Sequence, residues 1–554
     1  MIDWSHLLVL PIVLPLMAAA SLLLSRSRSP ILAMLSTLAG LFIALTLIAK
    51  VEQSGAVHAY LLGNWVAPFG ITLVLDRLSA LMLLLTSLLG CVSLLYALAG
   101  DDQRGRYFHS LFQFQLMGLN GAFLTGDLFN LFVFFEVLLI SSYGLLLHGA
   151  TAERLRSSVH YVVFNLAGSA LFLIAASLLY GVTGTLNFAD MAIRVAQLPN
   201  DKILLVQSAG LLLIVVFCVK AALLPLYFWL PATYGAASAP VAALFAIMTK
   251  VGIYAILRVT TLIFGASGGA AAMLASPWLE SLALATIALG AIGAFSAKTL
   301  RLMIGNLVVA SAGTLLLTVG LATVDTVAAG LFYLVNSTLA TAALFLLADR
   351  IVAARVVSTN INHDAFVPVS LGDARVFLGI LFFIFAVAAA AMPPSAGFLG
   401  KALLLKAATQ FSYGWLITGV VLASSVVIMV TFARSGSMLF WRGDLQADSQ
   451  ANLRSDWPID HESSVESYSV AKNQPGTVVT EIPIQTNWQH KLSLAVLATL
   501  LAICSVYAGT LADYTKATAV QLFERRAYIE GVLGAKAAPA AIDVRKEMRE
   551  QVKP

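Results

Sequence analysis

Apolar residues run in blocks of about 20 along nearly the whole chain, separated by short polar breaks. Each block is long enough to cross a hydrocarbon core of roughly 30 Å as a helix. The short alternating segments of an outer-membrane barrel are absent. The blocks predict about fourteen transmembrane helices, near 6–25, 31–50, 72–99, 108–125, 128–148, 158–181, 204–229, 239–264, 278–297, 302–322, 327–348, 375–409, 413–441 and 490–511. The fold class is therefore an all-α polytopic membrane protein. Pro11 and Pro15 interrupt the first block and no basic stretch precedes it, so it reads as a retained span and not as a cleaved signal.

Composition sharpens this picture. Of 554 residues 60% are hydrophobic and only 11% are charged, against roughly 25% charged in soluble domains. The net charge of +5 does not point to nucleic acid, because the Lys and Arg residues are spread over short loops. Arg26 and Arg28, Arg104 and Arg106, Arg154 and Arg156, Lys298 and Arg301, Arg350 and Arg355, and Arg434 and Arg442 follow odd-numbered spans. By the positive-inside rule those loops are cytoplasmic and both termini lie on the outer face. Cys91, Cys218 and Cys504 lie in apolar runs without CxxC spacing and read as small buried hydrophobes.

The exceptions inside the apolar blocks carry the candidate chemistry. Glu136 sits in LFNLFVFFEVLLISSYGLLL, Lys220 in LLLIVVFCVKAALLPLYFWLP and Lys250 in PVAALFAIMTKVGIYAILRV. A charge at bilayer depth costs about 2.5–3.5 kcal/mol on insertion scales, so the default reading is a proton or ion path. Pro225 and Pro231 predict a helix break just after Lys220. Broken backbone at membrane depth is tolerated only where it is buried in protein or lines a wet cavity. A similar arrangement recurs in AMPPSAGFLGKALLLKAA, where Pro393, Pro394, Gly397 and Gly400 disrupt the helix ahead of Lys401. Two broken spans with a lysine, five spans apart, are what two inverted five-helix repeats would give.

The chain then divides into an N-terminal three-helix segment (1–99), a first repeat (100–265) with Glu136, Lys220 and Lys250, and a second repeat (275–441) with Lys401. A polar cytoplasmic loop (442–489), a last transmembrane helix (490–511) and a polar tail (512–554) follow. The tail is partly amphipathic near ATAVQLFERRAYIEGVL and is expected on the outer membrane face or against a neighbouring protein of the same complex. Glu136 and Lys220 are expected to pair. At about 4 Å and an effective dielectric near 20 the attraction is about 4 kcal/mol, and separating the pair would release the lysine's proton to Lys250 and on to Lys401. Lys406 reads as snorkelling outward. Asp76 and Arg77 read as an interfacial anchor, Arg258 as an outer helix end, and His148 and His160 as solvated loop residues. No P-loop, no GxGxxG opening a helix after a strand, no HExxH and no thiol cluster is present. No cofactor and no metal site is therefore expected, and the energy source is an ion gradient or a partner.

These residues also carry a family resemblance. VKAALLPLYFWLPATYGAASAPVAALFAIMTKVGIYAILR closely resembles the signature of the antiporter-like subunits of Mrp multisubunit cation/proton antiporters and of respiratory complex I. LFVFFEVLLISSYGLL, VLDRLSALMLLLTSLLG and PPSAGFLGKALLLKA support it, and it covers residues 1–511. The resemblance implies a proton relay through Glu136, Lys220, Lys250 and Lys401. Within the family the chain looks most like the MrpD branch. It implies exchange of Na+ or another monovalent cation for H+, a hetero-oligomeric complex with the large MrpA protein and several small membrane subunits, and the bacterial inner membrane. A proton-pumping component of an NADH–quinone or hydrogenase-linked oxidoreductase, similar to the M-type membrane protein of complex I, is the alternative. One departure stands out: span eleven has Asn336 and Thr341 where some relatives have His or Lys, with Ser337, Thr338 and Thr341 left to hold water.

Overall fold

Helices form along the apolar blocks and stop where polar caps or prolines intervene. The computed structural model describes residues 4–25, 29–355, 364–366, 371, 374–441 and 487–534. In chain order its helices are α1 (Leu10–Leu24), α2 (Pro30–Ser54), α3 (Arg77–Ala97), α4 (Phe108–Leu124), α5 (Leu128–Leu147), α6 (Ala152–Thr183), α7 (Phe188–Ala196), α8 (Asn200–Ala221), α9 (Trp229–Ala236), α10 (Ala239–Phe245) and α11 (Met248–Leu262). The remainder are α12 (Ser276–Ser296), α13 (Leu300–Gly320), α14 (Val324–Ala354), α15 (Arg375–Ala390), α16 (Ala396–Ala408), α17 (Gly414–Phe440), α18 (Trp488–Val506), α19 (Ala508–Phe523) and α20 (Arg525–Leu533). Strands β1 (His58–Leu61) and β2 (Thr72–Leu75) form an antiparallel hairpin in which His58 faces Leu75 and Leu61 faces Thr72.

Among the described residues, eleven helical stretches are long and apolar enough to cross a membrane, and α1 and α15 are shorter apolar helices. The chain is a multi-pass membrane protein. The expected span at 72–99 begins later, because residues 72–75 pair as a strand and Asp76 starts α3 with a capping box to Ser79. The expected span at 375–409 is two helices, α15 and α16. The expected span at 108–125 is α4, two of whose polar side chains tie it to its neighbours. Gln113 donates to the Ala33 carbonyl (2.9 Å) and the Thr37 hydroxyl (2.8 Å), and Asn120 donates to the Pro11 carbonyl (2.8 Å). The loop 442–489 falls almost wholly outside the described residues, as do Arg26, Arg28 and Arg442 of the orientation argument.

Helices α10–α11, α13 and α14 are almost entirely buried and form the centre, whereas α2, α6, α17 and α18 lie at the periphery with much of their apolar surface exposed. At one end of the bundle the hairpin, α7, α19 and α20 cluster together, with Leu73 bridging to Thr125 and Asp127 to Asn187. This end is called the hairpin face below. The tail predicted as amphipathic is α19 and α20, packed on α14, α3 and α7 of its own chain.

Small residues set the closest approaches. A Cβ on Gly252 would stand 2.7 Å from the Ala221 amide nitrogen and 3.0 Å from the Lys220 carbonyl carbon. Helix α11 therefore rests directly on the end of α8. Gly397 and Gly400 do not break α16, contrary to expectation. They lie inside it and admit Asn336 and Tyr333 of α14, at 2.5 Å and 3.0 Å from the missing Cβ atoms.

Two outcomes follow from this packing. Gly252→Ala should lower stability by about 1–3 kcal/mol through overpacking, read as an earlier thermal midpoint in detergent by size-exclusion fluorescence. Asp127 caps α5 by accepting from the Asn130 amide (2.8 Å), and burial pushes its carboxyl up to about 6, against the lowering effect of the Asn130 and Phe129 amides. The fold thus favours the protonated acid, and this contribution is lost as pH rises from about 4 through about 6. Asp127→Asn keeps the cap. It should raise stability at pH 8 by up to about 3 kcal/mol, read as a higher thermal midpoint, with the gain vanishing below pH 4.

Candidate functional site

Lys220 is the last polar residue before a break in the backbone. Helix α8 ends at Ala221, and Ala222 turns left-handed at φ 58°, ψ 49°. The chain resumes as α9 at Trp229. The polar groups freed by the break find partners across helices. The Leu224 amide donates to the Thr286 hydroxyl on α12 (3.0 Å) and the Trp229 indole donates to the Val219 carbonyl (3.2 Å). The second break repeats this geometry, with Ala391 at φ 56°, ψ 53°. There Asn336 donates to the Ala388 carbonyl (2.9 Å), and the Ala396 amide donates to the Ser505 hydroxyl (2.9 Å).

The structure brings Glu136 and Lys220 together, but not as the direct ion pair expected. Ser169 of α6 stands between them. Its hydroxyl donates to Glu136 Oε1 in a short hydrogen bond, and Lys220 Nζ donates to Ser169 Oγ (3.3 Å) and to the Asn165 carbonyl (3.3 Å). Lys220 Nζ also lies 5.8 Å from the centre of the Phe135 ring. The bridge arises because α6 packs between α5 and the end of α8, filling the gap at which a direct 4 Å contact would have formed. Lys220 is buried, whereas Glu136 is partly exposed and shares its flank of α5 with the exposed Val133 and Ile140.

Lys250 is fully buried on α11, and among the described residues its Nζ reaches only the neighbouring Thr249 hydroxyl, at 3.4 Å. Lys401 lies apart from these three, in the other half of the bundle. Its Nζ donates to the Ser425 hydroxyl (2.9 Å) and lies 5.9 Å from the centre of the Tyr333 ring. Beside it is a cavity of about 20 Å³ lined by Ser311, Thr314, Tyr333, Ser337, Thr341 and Ser424. That volume suits about one water. No carboxylate lines it, and all its walls come from α12 to α17. Thr341 and Ser337 thus face Lys401, while Thr338 bonds only to its own helix and Asn336 serves the second break. Among the described residues no group of three or more His, Cys, Asp or Glu is placed to hold a metal.

Other charged positions correct the sequence reading. Asp76 and Arg258 stand near helix ends, as expected, but as a pair buried in protein and not as an exposed anchor, with bidentate hydrogen bonds of 2.5 and 2.6 Å. Arg77 pairs with Glu52. His148 is buried and donates from Nε2 to the Asp101 carbonyl (2.8 Å), while His160 is exposed. At the end opposite the hairpin, Asp349 receives Arg301 (3.1 Å), Arg350 (2.5 Å) and the Tyr96 hydroxyl (2.7 Å). Sequence reasoning missed Ser169 and Asn165, which carry no charge and blend into an ordinary apolar helix. The Asp76–Arg258 pair had a signal: opposite charges at the start of one span and the last turns of another.

Known proteins resemble the chain as a whole. Residues 125–427 match the family described as NADH:quinone oxidoreductase/Mrp antiporter, TM. The chain is 42% identical over 475 residues to the D component of a probable K(+)/H(+) antiporter of Rhizobium meliloti (strain 1021), covering 80% of this chain and 88% of that protein. It is 36% identical to the D component of the Na(+)/H(+) antiporter of Alkalihalophilus pseudofirmus, covering 81% and 90%. Among solved structures it resembles a chain of the Mrp complex from Dietzia sp. DQ12-45-1b, with TM-score 0.80 and 26% identity over 96% of this chain and all of that one.

The hydroxyl bridge is testable by itself. A hydrogen bond to a charged group is worth about 1.5–3 kcal/mol, so Ser169→Ala should slow proton movement into vesicles at least about tenfold. Ser169→Thr should restore part of the rate. Both are read by quenching of a pH-sensitive dye.

Proposed function

This chain belongs to the NADH:quinone oxidoreductase/Mrp antiporter family, and from that premise we propose that it is the MrpD-type component of a multisubunit monovalent cation/proton antiporter, carrying the protons. It is a transporter component and not an enzyme. The observation that carries the reading is the Glu136–Ser169–Lys220 bridge beside the break in α8. A cation held at a helix break by one hydroxyl and one carbonyl, with its counter-charge one group away, can exchange a proton without leaving a bare charge in the membrane. Lys250 on the adjoining α11 is the next acceptor. Lys401, in its hydroxyl-lined cavity, terminates the relay in the second half. Water supplies the links between the lysines, since no hydrogen-bonded side chain joins them among the described residues.

The hairpin face is outward in this reading, with the basic loops in the cytoplasm of a bacterium and the inner membrane as its site. The family relatives' names carry both K+ and Na+, so the transported cation is given as monovalent. The matching left-handed residues Ala222 and Ala391 support two inverted five-helix repeats at 100–265 and 275–441. The partly exposed Glu136, flanked by apolar Val133 and Ile140, supports a hetero-oligomer. A carboxylate on a lipid-facing flank costs about 2.5–3.5 kcal/mol, which the large MrpA-type protein or a small membrane protein covering α5 and α6 would relieve.

The test is transport by the assembled complex. Affinity purification of the tagged chain should give a colourless complex of membrane proteins, and a flavin-bearing brown complex would move the chain to an oxidoreductase. In vesicles, Lys220→Ala should abolish cation-driven proton movement with the complex intact on a native gel. Preserved transport would remove Lys220 from the path.

A further inference from the structure

The polar side of α11 does not end at Lys250. Lys250, Tyr254 and Arg258 recur every four residues and share one face of the helix. Arg258 Nε donates to the Tyr254 hydroxyl (3.1 Å), and Tyr254 donates onward to the Phe123 carbonyl (2.7 Å). The guanidinium then closes on Asp76 with two hydrogen bonds, at the hairpin face. Above this pair lies α20. Its Tyr528 is 5% exposed, and its ring centre stands 5.3 Å from the Arg258 guanidinium carbon. The Tyr528 hydroxyl is buried without a hydrogen-bond partner among the described residues. A cavity of about 10 Å³ lies between Tyr528, Asp76, Arg258, Thr261, Gln521 and Val57.

Resting on the antiporter reading, we propose that Asp76 and Arg258 form the outer gate of the α11 proton route, and that α19–α20 is the strap that shuts it. Closed, the pair and Tyr528 exclude external water from the face of α11 that leads to Lys250. Open, α20 lifts, and water reaches the Asp76 carboxylate and the Tyr254 hydroxyl. Two features make the open state accessible. The closed state leaves the Tyr528 hydroxyl unsatisfied and a charge pair desolvated, and water entry relieves both penalties. The α20 end of the strap is also tied by few hydrogen bonds, whereas α19 is anchored by its packing on α14. Tyr514 donates to the Arg77 carbonyl (2.8 Å), Gln521 accepts from the Arg77 amide (3.0 Å) and donates to the Gly55 carbonyl (3.1 Å), and Arg525 donates to the Ser267 carbonyl (2.8 Å). Apart from Tyr514, these contacts lie in the stretch from Gln521 to Arg525, so beyond Arg525 the nine-residue α20 is held by packing and not by hydrogen bonds to other helices among the described residues, and a helix held that way can open locally.

A cysteine pair tests this directly. A Cβ on Gly531 of α20 would stand 3.0 Å from the Val57 Cβ beside the hairpin, close to disulfide reach of about 3.5–4.5 Å. The complex carrying Val57→Cys and Gly531→Cys is oxidised with diamide in vesicles, and the cross-link is verified by mass spectrometry. Wild type, whose Cys91, Cys218 and Cys504 lie within other helices, is treated alongside. The expected result is at least a tenfold loss of exchange on oxidation and recovery with dithiothreitol. A cross-linked complex that exchanges ions within twofold of wild type overturns the gate while leaving the antiporter reading standing. A wild-type complex that exchanges nothing overturns the antiporter reading, and the gate with it. Where the double variant does not assemble, Tyr528→Ala decides: it should raise the passive proton leak several-fold, and a membrane as tight as wild type refutes the gate.

Discussion

The requirement that every backbone polar group in the membrane find a partner governs this structure more than any other. Two helices are broken at depth, and each break is tolerable only because another helix answers it. At the first, Thr286 of α12 receives the Leu224 amide, so a helix of the second half completes the break in the first. At the second, Asn336 of α14 and Ser505 of α18 do the same. The breaks that place Lys220 and Lys401 are therefore also the points at which separate parts of the bundle are fastened. A proposed proton site and a contact between helices are here one piece of chemistry.

Much of this architecture was legible in the chain. Apolar blocks announced the helices, and Pro225, Pro393 and Pro394 announced the breaks. Gly397 and Gly400 misled, because glycine weakens an isolated helix but equally permits a close approach, and only the neighbour's position tells the two apart. The hairpin was hidden because four-residue strands carry too few positions to show alternation. The expected Glu136–Lys220 pair was right in its members and wrong in its contact. Pattern reveals which charges are buried, yet the small hydroxyl between them is chemically quiet until the packing of α6 is known.

The two halves handle their lysines differently. Lys220 has a carboxylate one hydroxyl away, whereas Lys401 sits among hydroxyls and an aromatic face. A positive charge on Lys220 has a fixed counter-charge, and one on Lys401 is stabilised by dipoles alone. The first site therefore depends on what happens to Glu136 on the flank of α5. The second responds to how much water its small cavity admits. Asn336 is consistent with this division. It holds the backbone and leaves the cavity to Ser337 and Thr341.

Gly252 gives the arrangement a mechanical character. With no side chain as a spacer, α11 bears on the peptide linking Lys220 to Ala221. The two surfaces behave like meshed gear teeth. A rotation or slide of α11 that carries Lys250 cannot proceed without displacing the peptide on which Lys220 is mounted, and a shift at the break drives α11 in return. The distance between the two lysines is thus not free to vary independently of the helix break. In the proposed relay, proton position in one would be coupled to backbone position at the other, through a contact that contains no charge.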